Sequence, residues 1–462
     1  MLEHFIAERI RQQLPFEVNQ EKEQLMELWG RFLTDRNHDT MFLLRGYAGT
    51  GKTTMIGALV RAMNELKQKT VLLAPTGRAA KVISSYSGFP AYTIHKRIYR
   101  QRSLGEPVFS LSENRSEHTL FIVDEASMIS DSSDGGSFGS GKLLDDLIKY
   151  VYSNGTCRLM FVGDDAQLPP VGQTLSPALN ADYLRGFGFN VTEFRLTEVA
   201  RQALESGILA NATRLRECLR SGNVNQKIVW QTDGFGDIHA INGQQMFDEM
   251  ERSYREAGEE ETIVITRSNR RMNLYNQGIR SRLLWKEELL TTGDRVMVTR
   301  NNYFFTEQYE NLDFIANGDM LTIVRLRHER EMYGYKFADA TLRSEDYDWE
   351  IDAVVCLDTL LSESPEANYK WQQTLFSRIA EDYPEIHNKK DMVKAVMASP
   401  YYNALQIKHA YAVTCHKAQG GQWKRVFIDI GNLPDEQINE DYYRWFYTAL
   451  TRAREQVYIL LN

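Results

Sequence analysis

A lysine and two threonines, Lys52, Thr53 and Thr54, close the run Gly46-Tyr47-Ala48-Gly49-Thr50-Gly51-Lys52-Thr53-Thr54. The spacing G-x-x-x-x-G-K-[ST] is that of a phosphate-binding loop. Glycines let the backbone curl until its N–H groups face one anion, and a helix N-terminus behind them adds partial positive charge. Gly46, Ala48, Gly49, Thr50 and Gly51 form the cradle, the Lys52 ammonium reaches the terminal phosphates, and the Thr53 hydroxyl holds Mg²⁺. Farther on, Asp124-Glu125-Ala126-Ser127 ends an apolar run. Two carboxylates there supply what such a loop needs: Asp124 binds the Mg²⁺ through water, and Glu125 positions or deprotonates the attacking water. Gln167, in Gly163-Asp164-Asp165-Ala166-Gln167-Leu168-Pro169-Pro170, stands where a neutral donor senses a γ-phosphate. These groups together bind and hydrolyse a nucleoside triphosphate.

The elements that must position them are legible around them. Met41 to Leu44 reads as a buried strand before the loop. Met55, Ile56, Leu59, Val60, Met63 and Leu66 recur at helical spacing after it. Further buried strands are expected at 70–74, 119–123 and 158–162, so the loops at their ends share one crevice. The loop after the second strand carries Thr76, Arg78 and Lys81, and Thr93-Ile94-His95-Lys96 follows; both suit a phosphate backbone. Ahead of the loop, residues 1–36 read as a helical segment. Asn19, Gln20 and Gln24 there are candidates to read an adenine edge, with Gln24 in better helix phase and Gln20 in the more polar stretch.

The second half repeats the parallel-strand pattern at 262–266, 425–430 and 457–461 without a phosphate loop. Two sheets with one nucleotide loop imply a shared cleft, the later domain lending charge. Arg201 and Arg452, in Leu196-Thr197-Glu198-Val199-Ala200-Arg201-Gln202 and Tyr447-Thr448-Ala449-Leu450-Thr451-Arg452, are the candidates. An arginine reaching across a cleft stabilises transition-state charge and makes domain closure depend on the γ-phosphate. Thr414-Cys415-His416-Lys417-Ala418-Gln419-Gly420-Gly421 forms a polar loop; His416 and Lys417 suit a phosphate, and Gln419 and Gly420 point to the interface. Between these segments, alternating β-branched runs suggest a small barrel followed by helices over 300–404. Residues 99–118, with Arg100, Arg102 and Arg115, read as a hairpin excursion. Tyr303, Phe304 and Phe305 are aromatic candidates for base stacking.

Composition sets the outer bounds. At 462 residues the chain exceeds one core, and 43% apolar with 25% charged content is ordinary for a globular protein. No apolar run approaches a membrane span, so no membrane partner is expected. The four cysteines, Cys157, Cys218, Cys356 and Cys415, are scattered, which disfavours structural zinc and disulfides and fits a reducing, cytoplasmic setting. A net charge of −8 disfavours a protein coated in nucleic acid but leaves room for a narrow basic channel.

With GYAGTGKT, APTGRAAK, DEAS, GDDAQLPP, AYAVTCHKAQGGQW and YTALTRARE in this order, the chain resembles a superfamily 1 DNA helicase. The likeness is greatest to the branch of RecD-like, phage Dda-like and Pif-like enzymes. The resemblance implies an α/β fold of two tandem RecA-like parallel-sheet domains, with a wedge excursion and an SH3-like insertion. The implied bounds are 37–190 for domain 1A with the 99–118 wedge, 191–299 and 405–462 for domain 2A, and 300–404 for the insertion. It implies ATP and Mg²⁺ as cofactors, and hydrolysis carried by Lys52, Thr53, Asp124, Glu125, Gln167, Arg201 and Arg452. Gln24, Gln419 and Gly420 would complete the nucleotide pocket. Thr76, Arg78, Thr93, His95, Lys96, Thr414, His416 and Lys417 would hold single-stranded DNA and strand junctions. The working unit would be a monomer moving 5′ to 3′. A nucleotide-switched clamp that does not travel, and an RNA helicase, share several of these blocks.

Overall fold

The computed structural model describes residues 1–101, 109–131, 138–198, 205–306, 309, 312, 314–363 and 365–461. Six strands form one parallel sheet in the order 91–93, 69–74, 119–123, 158–163, 40–46 and 190–196. Five form a second parallel sheet in the order 412–414, 262–266, 423–429, 453–460 and 238–241. The two-sheet α/β class expected from the sequence is the class observed. Parallel sheets are covered on both faces, so their central strands read as unbroken apolar runs. Phe42, Leu43 and Leu44, then Phe121 and Ile122, then Phe161 and Val162 are all fully buried. Because every strand runs the same way, Gly46, Val123, Gly163 and Leu196 end at one edge, and the loops that leave them meet there.

Three boundaries differ from the sequence reading. The strand Asn190–Leu196 pairs with Thr40–Gly46 over its whole length, so a division at 190/191 cuts the first sheet. Its mixed sequence, Asn-Val-Thr-Glu-Phe-Arg-Leu, hid it, because an edge strand is only half covered. The insertion also reaches beyond 300–404. A closed barrel joins 295–298, 320–332, 335–344, 350–356 and 405–409, and it closes only because the last strand pairs with both the first and the fourth. Finally, the segment 1–36 is not separate from the first domain. Its helices Leu2–Gln12 and Gln20–Thr34 place Ile10, Leu25 and Trp29 in one core with Phe42, Leu44 and Met55.

The excursion at 99–118 contains an antiparallel pair, Tyr99–Gln101 with Phe109–Leu111; Arg102 and the rest of 102–108 lie outside the described residues. Phe109 meets Tyr303 at a ring-centroid distance of 4.6 Å, and Phe138 meets Phe314 at 5.7 Å. This aromatic contact joins the hairpin to the barrel side of the molecule. It also occupies Tyr303, while Phe305 packs against the barrel and the two helices that follow it. Neither ring stands open as a stacking platform.

Candidate nucleotide cleft and nucleic-acid face

The phosphate loop takes the curled form its glycines permit. Gly49 and Gly51 have φ of +76° and +88°, a region that L side chains rarely adopt. Thr50 ties the curl, donating its N–H (3.3 Å) and hydroxyl (2.8 Å) to the Tyr47 carbonyl. Lys52 and Thr53 open the helix Lys52–Glu65, and Thr54 follows in its first turn. The Lys52 ammonium donates to the carbonyls of Gly46 at 2.6 Å and Tyr47 at 2.9 Å. Gly46 is tight for a different reason: a Cβ there would lie 3.0 Å from Lys52 Cγ and 3.1 Å from Leu196 Cβ. Beside the loop, Tyr47, Thr197, Arg214, Arg216 and Arg220 line an open cavity of 510 Å³, with the Arg216 guanidinium 4.4 Å above the Tyr47 ring. Three arginines at that mouth suit a polyanion.

The carboxylates converge on the same place. Burial first, then the neighbouring Glu125, pushes the Asp124 carboxyl up to about 7, while Lys52 opposes the shift. Asp124 Oδ1 accepts the Glu125 N–H at 2.9 Å. Glu125 holds φ of +52°, an uncommon backbone state for a residue with a side chain and one that gathers at functional turns. Ser176 fixes this turn by offering its hydroxyl to the carbonyls of Ala126 and Ile129, both at 2.7 Å. Asp164, 1% exposed, is likewise raised by burial and eased by Lys52.

The second domain reaches into this cleft. Arg452 is buried, and its Nη1 lies 3.8 Å from Glu125 Oε1 across the seam. Its Nε donates to the Thr448 carbonyl at 3.0 Å and its Nη1 toward the Gly421 carbonyl at 3.4 Å. Arg201 lies outside the described residues. Gln167 is buried with its Oε1 unpartnered among the described atoms. Its loop is clasped from the other domain: Gln419 Nε2 donates to the Leu168 carbonyl at 2.7 Å, and Thr448 accepts the Leu168 N–H at 2.8 Å. Arg444 adds a bond to the Gln167 carbonyl at 3.3 Å. Gln419 therefore sits in the domain seam, at the interface to which the sequence reading points it. Gly420 does too: a Cβ there would lie 2.9 Å from both Thr76 Oγ1 and Ala79 Cβ. Gln24 is exposed on the helix Gln20–Thr34, whose Lys22 approaches the loop instead, with its Cε 3.7 Å from a Cβ built on Gly51. Sequence reasoning missed Tyr447, Thr448 and Arg444, although Tyr447 and Thr448 share one block with Arg452.

The nucleic-acid candidates divide by position. Thr76 and Thr93 cap helices, accepting the N–H of Ala79 and of Lys96 at 3.2 Å each. Arg78 is a seam residue rather than an open cation: its guanidinium stacks 4.2 Å above Trp423, and burial lowers its pKa. Lys81 pairs with Asp346 of the barrel at 3.6 Å. Thr414, His416 and Lys417 start the short helix Cys415–Ala418, with both basic residues exposed and Lys417 donating to Asn317 at 2.6 Å. Lys96, half-buried, follows His95 on the helix Ile94–Ile98. His95 packs against Phe138 at 4.8 Å and Tyr99 at 5.8 Å, and burial pushes its imidazole down to about 4. It is neutral at working pH and brings no charge to a phosphate. DNA affinity measured by fluorescence anisotropy from pH 6 to 8 should therefore follow the same curve in wild type and His95→Gln; a step near pH 6.5 present only in wild type would contradict the placement.

Residues 31–243 match the family described as an AAA domain, and residues 409–460 match the UvrD-like helicase C-terminal domain. The ATP-dependent DNA helicase Dda of Enterobacteria phage T4 is 26% identical over 90% of this chain and 93% of its own length. The ATP-dependent RecD2 DNA helicase of Deinococcus radiodurans is 31% identical over 37% of this chain, which spans only 21% of that relative. A solved structure of Pif1 helicases at forked dsDNA aligns over 96% of this chain and 92% of that one, at 15% identity and a TM-score of 0.49.

Proposed function

The chain belongs to the superfamily 1 helicases, in the group of RecD-like, Dda-like and Pif-like enzymes, and from that premise we propose that it is an ATP-dependent DNA helicase that travels 5′ to 3′ on single-stranded DNA and opens duplex ahead of it. The observation that carries the reading is Arg452, which reaches from the second domain to within 3.8 Å of Glu125 in the first. A cation from one lobe beside the water-activating carboxylate of the other couples hydrolysis to domain closure.

In this reading the loop amides and Lys52 hold the triphosphate. Thr53 and Asp124 offer a hydroxyl and a carboxylate, the hard oxygen donors that suit Mg²⁺, which when bound neutralises phosphate charge. Glu125 orients the attacking water, Gln167 senses the γ-phosphate, and Arg452 with Arg201 stabilises the charge that builds during transfer. Closure and opening change the grip of the two domains on the strand in turn. The strand lies over Thr76, Thr93 and His95 of the first domain and Thr414, His416 and Lys417 of the second. The 99–118 excursion, braced where Phe109 meets Tyr303 and Phe314, divides the duplex. Each base-pair step costs about 1.4 kcal/mol to open, so unwinding a long duplex needs repeated directional work. One monomer contains every part named.

The test is unwinding of forked duplexes carrying a 5′ or a 3′ tail, with ATP and Mg²⁺. The expected result is strand separation from the 5′ tail only. Faster ATP hydrolysis with DNA but no opening from either tail would make the protein a nucleotide-switched clamp. Stronger stimulation by RNA of the same sequence would reassign the substrate.

A further inference from the structure

Tyr447 stands on the helix Glu440–Leu450 of the second domain, in the block that ends at Arg452. Its hydroxyl reaches the first domain. It accepts the N–H of Ala48 at 2.9 Å and donates to Asp164 Oδ2 at 2.6 Å. Ala48 belongs to the phosphate loop, and Asp164 follows the strand Arg158–Gly163. The ring is 1% exposed, and burial together with Asp164 raises the phenol well above its ordinary range. It is therefore a neutral donor across the whole working range of pH. One oxygen thus ties the phosphate loop, the Asp164 turn and the helix that leads to the arginine. The path onward is short. Thr448, the next residue, holds the Leu168 N–H of the same turn, and its carbonyl accepts Arg452 Nε at 3.0 Å.

We propose that Tyr447 is a positioning residue for ATP hydrolysis, its hydroxyl setting the Arg452 guanidinium in the cleft by locking the second domain's helix to Ala48 and Asp164. The inference rests on the hydrolysis reading above. A phenylalanine would fill the same volume, so only the hydroxyl demands a tyrosine here. Asp164 Oδ1 already takes the Ala166 N–H at 3.0 Å, and Tyr447 satisfies its other oxygen. A shift of the loop on binding a triphosphate moves Ala48, and the bonded helix must follow or break away. Either response changes where the guanidinium lies, and a displacement of about 1 Å at such a site is worth on the order of 10²-fold in rate.

The test is Tyr447→Phe, which keeps the ring and removes one oxygen. ATP hydrolysis is measured with saturating single-stranded DNA, at a temperature where circular dichroism shows the variant as folded as wild type, so a lost fold cannot be read as a lost rate. The expected result is a kcat lower by about 10- to 100-fold and a KM for ATP within about 2-fold of wild type, the pattern of an interaction realised in the transition state. The double variant Tyr447→Phe/Arg452→Ala should be no slower than Arg452→Ala alone, because the hydroxyl acts through the guanidinium. An unchanged kcat, a change confined to KM, or a double variant in which the two losses multiply would each overturn the proposal. Wild type and Lys52→Ala run beside them: hydrolysis that survives Lys52→Ala would break the underlying assignment of the cleft, whatever Tyr447→Phe does.

Discussion

Arg452→Ala is expected to lower the DNA-stimulated kcat for ATP by about 10³-fold and to leave nucleotide-free DNA binding unchanged. The magnitude is the lower end of what an arginine supplied across a phosphoryl-transfer site is worth. The lower end applies because Arg201 is proposed as a second such group. The guanidinium lies 3.8 Å from Glu125; in the proposed reaction it would meet charge that builds beside the attacking water rather than the resting nucleotide. KM should accordingly move much less than kcat. Arg452→Lys is expected to recover little. The guanidinium is held by Nε on the Thr448 carbonyl and Nη2 on Thr451 Oγ1 at 3.2 Å, a fixed fork that an ammonium on a flexible stem cannot reproduce. Unwinding of a 5′-tailed fork should fall in the same proportion as hydrolysis. If hydrolysis stays within about 2-fold of wild type, the arginine is a structural member of the seam and the coupling argument fails.

What made the cleft legible was local chemistry. Gly49, Gly51 and Lys52 must be what they are for the backbone to curl round an anion, so their identities announce the loop. The carboxylates at 124 and 125 were legible because the apolar run Leu120 to Val123 of a fully buried strand ends on them. The seam was legible only in part: the sequence pointed Gln419 and Gly420 to the interface but not to what they touch there. Gln419 and Gly420 carry the amide and the absent side chain that a nucleotide pocket also uses. Only the fold shows that the amide meets the Leu168 carbonyl and that the glycine makes room for Thr76 and Ala79. Arg78 misleads in the same way. A basic residue after a strand suits a phosphate, yet tertiary packing lays it on Trp423. The edge strand Asn190–Leu196 escaped as well, because it is half solvated and lacks the apolar run of a central strand.

Lys52→Ala should abolish ATP hydrolysis, a loss of more than about 10³-fold, while single-stranded DNA still binds in the absence of nucleotide. Lys52 contacts the Gly46 and Tyr47 carbonyls and none of the DNA candidates, so binding has no direct reason to fail. The ammonium has a second duty. It is the cation that opposes the upward push of burial on both Asp124 and Asp164. A carboxyl whose folded pKa lies above its unfolded value binds more protons folded than unfolded, so stability falls as pH rises toward that folded value and then levels. For Asp124 in the wild type that fall ends near pH 7. Without Lys52 the folded values rise further, and the fall continues to higher pH. The melting-temperature deficit of Lys52→Ala relative to wild type should therefore be larger at pH 8 than at pH 6. A deficit that shrinks between those pH values would mean that the lysine does not neutralise the buried acids. Loss of DNA binding with an unchanged melting temperature would mean that Lys52 serves the strand and not the triphosphate.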